Sequence, residues 1–105
     1  MLYPLFNDPF NDLAFDKALW HQHRNDTSPD NPRGNMAHDL ATLLETEQMT
    51  RAEVITLLGQ PDARSSDTML SYQLGMWSGF RIDNDTLDVF FDHADHVIDA
   101  RVVQH

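Results

Sequence analysis

The stretch Met49–Pro61 writes both ends of a helix in its own residues, and it constrains the fold more than any other part of the chain. Thr50 as N-cap and Glu53 three residues later form a capping box, which satisfies two otherwise orphan backbone N–H groups. Met49 before the cap and Val54 after it have the spacing of a hydrophobic staple. Gly59 and Pro61 stop the helix: glycine tolerates a left-handed conformation and proline cannot continue the turn. A helix of only about eight residues does not persist alone in water, so Val54, Leu57 and Leu58 must rest on another element.

The flanking residues say what that element is. Met36, Leu40, Leu43 and Leu44 follow the i, i+4, i+7, i+8 pattern of one buried face on a preceding helix. After Pro61 the apolar period switches to two. Leu70, Tyr72 and Leu74 alternate with Met69, Ser71 and Gln73. Leu87, Val89 and Phe91 alternate with polar residues and Phe90, and Ile98, Ala100 and Val102 alternate with Asp99 and Arg101. His93-Ala94-Asp95 reads as the hairpin turn between the last two runs. The expectation is an α+β fold: two helices packed on one face of a three-stranded antiparallel meander, in the order ααβββ. Residues 35–105 form this domain, and residues 1–34 form an N-terminal arm rich in Asn, Asp and Pro. Within the arm, Asp12 is placed to cap a short helix over about 13–22, where Phe15 and Leu19 lie one turn apart. Asp26 to Gly34 reads as a loop, and Phe6, Phe10, Phe15 and Trp20 would be costly to expose together.

With 105 residues there is room for one core. A formal charge of −10, with Lys17 the only lysine, argues against a nucleic-acid phosphate backbone as partner. The absence of cysteine excludes disulfides, thiolate nucleophiles, cysteine-zinc sites and a lipid anchor on cysteine. No apolar run reaches the length of a membrane span. Met1-Leu2-Tyr3-Pro4 lacks the basic and apolar regions of a signal peptide, so the expected address is the cytoplasm if Met1 is the native start.

Met49-Thr50-Arg51-Ala52-Glu53-Val54 running into Leu57-Leu58-Gly59-Gln60-Pro61-Asp62 resembles the helix-and-turn signature of the SmpA/OmlA family of small outer-membrane lipoproteins. The Tyr72-x-Leu74-Gly75 and Leu87-x-Val89-x-Phe91-Asp92 runs share that likeness, which covers about residues 36–103. The same helix-helix-strand-strand-strand unit is similar to that of β-lactamase-inhibitor proteins. An uncharacterised branch carrying an Arg-x-x-Met-x-x-Asp-Leu stretch is the nearer match, here Arg33, Met36, Asp39 and Leu40. Gln48 stands where relatives often have glycine, and the lipobox cysteine is absent. The resemblance implies the fold and a non-enzymatic binding character. By analogy alone it points to the cell envelope, where the best-known members assist β-barrel assembly.

Candidate chemistry is sparse. Gly75-Met76-Trp77-Ser78-Gly79 places its serine one position too late for a nucleophile elbow, and a strand follows instead of a helix. No cofactor and no metal are expected. The nearest approach to a metal site is Asp83, Asp85 and Asp88 with His93 and His96, but an EF-hand reading fails at Asp88 and Ala94, where glycine and glutamate belong. The connection 75–85 carries Met76, Trp77, Phe80 and Ile82, which either close the open end of the core or form a contact site. Phe90, Val97 and Val103 are expected to point away from the helices, to be covered by the arm or by a partner. The expected function is therefore a protein-interaction module that binds a protein partner or itself. A small-ligand or calcium-binding protein using the acidic region 83–99 is the alternative.

Overall fold

The computed structural model describes residues 13–24, 31–75 and 85–103. Helix α1 spans Lys17–Gln22, α2 Pro32–Glu47 and α3 Arg51–Leu58; strands follow at β1 Arg64–Ser66, β2 Met69–Gly75, β3 Asp85–Phe91 and β4 Val97–Val103. The four strands form one antiparallel sheet in the order β1-β2-β3-β4. The overall class is α+β, but the sheet is not the expected three-stranded meander, and there are three helices among the described residues. The extra strand is Arg64-Ser65-Ser66, which pairs with Ser71, Leu70 and Met69 across a tight turn at Asp67-Thr68. All three of its residues are exposed, so it has no apolar alternation to betray it.

Each helix begins at a residue built for the purpose. The Asp16 carboxylate accepts from Leu19 N at the start of α1, and Asn31 accepts from Arg33 N at the start of α2, where Pro32 occupies a position that needs no N–H. At α3 the capping box is complete: Glu53 N donates to Thr50 Oγ1 at 3.2 Å, and Thr50 N donates to Glu53 Oε1 at 2.9 Å. Gly59 ends α3 at φ 86°, ψ −176°, a region open essentially to glycine. A Cβ there would also meet Arg24 Nη1 at 3.1 Å and His21 Cε1 at 3.3 Å.

The core lies between the helices and one face of the sheet. Met36, Leu40, Leu44, Val54 and Leu58 meet Leu70, Tyr72, Leu74, Leu87, Val89 and Phe91, and Trp20 is buried among them. The described part of the N-terminal region thus contributes Trp20 to the core, with Phe15 and Leu19 packed against it. Trp20 Nε1 donates to Leu58 O at 3.2 Å, and its ring meets Tyr72 edge-on with centroids 5.9 Å apart. One register shift redirects a strand: Phe90 pairs with Asp99 but Phe91 pairs with Val97, so Ile98 is extra. The bulge turns Val97 into the core and leaves Ile98 63% exposed, reversing the orientations that plain alternation gives.

Candidate functional site

The register sets three cross-strand rows on the face of the sheet away from the helices: Met69–Phe90–Asp99, Ser71–Asp88–Arg101 and Gln73–Thr86–Val103. Ser71, Gln73, Thr86 and Asp88 are buried, so the accessible part of this face lies toward the β3–β4 hairpin. There Phe90 and Met69 are half-buried, Arg101 is exposed, and the Arg101 guanidinium sits 5.1 Å from the centre of the Phe90 ring. Arg101 Nε donates to Asp99 Oδ2 at 2.8 Å, and this pairing holds the Asp99 carboxyl below the usual carboxylate range. Of the residues proposed from sequence, Phe90 and Val103 belong to this face and Val97 does not: the bulge has placed it in the core. Met76, Trp77, Phe80, Ile82 and Asp83 lie outside the described residues. Met69 and Arg101 escaped the sequence reading as site residues, because only the strand register shows that they flank Phe90.

The acidic residues are spread over separate tasks. Asp88 accepts from Ser71 Oγ at 2.6 Å and Thr86 Oγ1 at 2.9 Å, with Arg64 Nη2 3.7 Å away. Asp92 Oδ1 accepts from Ala94 N and His96 N, which shapes the hairpin turn. These bonds, that from His96 foremost, draw the Asp92 pKa down. His93 and His96 are exposed at that turn, away from Asp88 at mid-strand. Asp85 is buried, and neither of its carboxylate oxygens has a hydrogen-bond partner. Among the described residues no group of three or more such side chains is arranged to hold a metal ion.

A second polar cluster lies on the helix side. Arg33 is fully buried; its Nη1 donates to Asp62 Oδ2 at 2.7 Å and to Gln73 O at 3.2 Å, and its Nε donates to Trp20 O at 2.9 Å. Asp62 Oδ1 accepts from Gln73 N at 2.8 Å. The ion pair therefore takes both backbone groups of Gln73 just beyond the end of β1, where a neighbouring strand would otherwise stand. The Arg33 guanidinium lies 4.2 Å from the centre of the Trp20 ring. Burial lowers the Arg33 pKa against the opposing pull of Asp62, and burial raises that of Tyr72, whose hydroxyl donates to Gly59 O at 2.8 Å.

Two further positions of the Arg-x-x-Met-x-x-Asp-Leu stretch tie down the chain before Trp20. Met36 Sδ accepts from Asp16 N, and Asp39 Oδ2 accepts from Phe15 N at 2.7 Å. The fourth, Leu40, is core. This cluster fastens α1 and the Gly59–Asp62 turn to β2, and leaves Arg33 Nη2 buried without a hydrogen-bond partner. No helix among the described residues is long and apolar enough to cross a membrane. Comparison of the chain with protein-family models, with curated proteins and with solved structures finds no match.

Proposed function

We propose that this chain is a non-enzymatic interaction module that engages a protein partner, or a second copy of itself, through the hairpin end of the outer sheet face. The observation that carries the reading is the row Met69–Phe90–Asp99 with Arg101 over the aromatic ring. A half-buried aromatic flanked by methionine and arginine has the composition of an interface anchor, and removing such an anchor costs far more than removing its neighbours. The resemblance of Met49–Asp62 to the SmpA/OmlA signature supports the same character. Given a formal charge of −10, a basic partner is favoured on approach.

Phe90→Ala is expected to weaken self-association or partner capture by about tenfold or more. Its circular dichroism and melting should stay close to those of the parent. Sedimentation velocity reads the first arm, and pull-down with the parent chain as control reads the second. Equal association by both chains would remove the proposal.

A further inference from the structure

A groove of about 320 Å³ opens on the helix side of the molecule, between the start of α1 and one flank of α3. Met49, Ala52 and Leu57 give it an apolar lining, and Lys17, Glu53 and Thr56 supply the polar groups. Two of those three are already committed. Glu53 Oε1 accepts from both Thr50 N and Thr50 Oγ1, and Thr56 Oγ1 donates back to Ala52 O at 2.9 Å.

Lys17 differs from both, and from every described arginine. Arg24, Arg33, Arg51, Arg64 and Arg101 each face an aspartate within 4.0 Å. Among the described lysine and arginine side chains, Lys17 alone has no ion pair. In a chain with so much acid, the one uncompensated cation among the described residues stands beside an apolar groove. A lysine stem covers apolar surface while its ammonium meets water or an anion.

We propose that this groove binds a small amphiphile with a single carboxylate head and an unbranched apolar tail. The head pairs with the Lys17 ammonium, and the tail lies along Met49, Ala52 and Leu57. The size of the space favours this occupant. It falls at the low end of the ~300–1,000 Å³ typical of small-molecule sites. The site lies on the other side of the sheet from the Phe90 patch and stands or falls independently of it.

Titration of the ¹⁵N-labelled chain with sodium octanoate, followed by amide chemical shifts, tests the proposal. Saturable shifts confined to Lys17 and the segment 49–57 are expected. Octylammonium should bind more weakly, and Lys17→Gln should weaken octanoate by about three- to fivefold, the scale of one exposed charge pair. Ala52→Trp, which fills the groove, should abolish the shifts while leaving the rest of the spectrum in place. The proposal is overturned by shifts that do not saturate, by shifts centred elsewhere, or by equal binding of octanoate and octylammonium.

Discussion

The two flanks of the sheet solve one problem with opposite materials. Any strand without a full neighbour leaves backbone groups to satisfy. On the β1 side, β2 outruns its short partner, and the N–H and C=O of Gln73 that face the missing strand are taken by Asp62 and Arg33, both shielded from water. On the β4 side, Val97 N donates to Met49 O at 2.8 Å and Ala100 N donates to Glu45 Oε2 at 2.8 Å, the latter from an exposed side chain. A buried ion pair resists loss because what remains is an uncompensated charge; an exposed carboxylate is readily replaced by water. One flank is thereby welded and the other only latched.

Breaking the weld gives the largest expected effect. Arg33→Met should destabilise the chain by about 3–5 kcal/mol in urea unfolding. An ordinary buried pair can be replaced on both sides by apolar residues at little cost. Here the double variant Arg33→Met, Asp62→Leu should stay destabilised, since Gln73 would keep an orphan N–H and C=O. Recovery of parent stability in the double variant would show that the Gln73 bonds contribute little. Opening the latch is smaller: Glu45→Ala should cost about 1 kcal/mol and raise hydrogen exchange at Ala100 while leaving Gln73 protected.

The gentlest probe is acid. Asp92 and Asp99 have folded-state pKa values below their unfolded ones, so the stability they confer is present above the ordinary aspartate range. It is lost as pH falls below about 4. Thermal melts over that interval should show a shallow decline, and Asp92→Asn should flatten it.

Much of this architecture could be read from residues whose neighbours in sequence are also their partners in space. The capping box of α3, the Gly59 stop and the inward faces of β2 and β3 all depend on local spacing and stand as expected. What escaped reading depends on distant contacts. β1 is a strand only because Met69–Ser71 is beside it. Val97 turns inward because an extra residue enters the ladder at Ile98. Arg33 is buried because Asp62, twenty-nine positions away, neutralises it; nothing in an Arg-x-x-Met-x-x-Asp-Leu pattern marks its first residue as interior. The Phe90 patch was legible as to its aromatic, while its companions required the register.

Gln48 closes α2 in the left-handed region at φ 47°, ψ 49°, a conformation more comfortable for glycine. That single bend brings the next three residues alongside the last hairpin: Met49 O receives Val97 N, Thr50 bridges to His96, and Arg51 N donates to Asp95 O at 2.9 Å. The helix elbow and the hairpin tip are consequently one cooperative unit. Thermal breathing that unzips the tip must also undo the first turn of α3, so the two should fray in concert and re-form together.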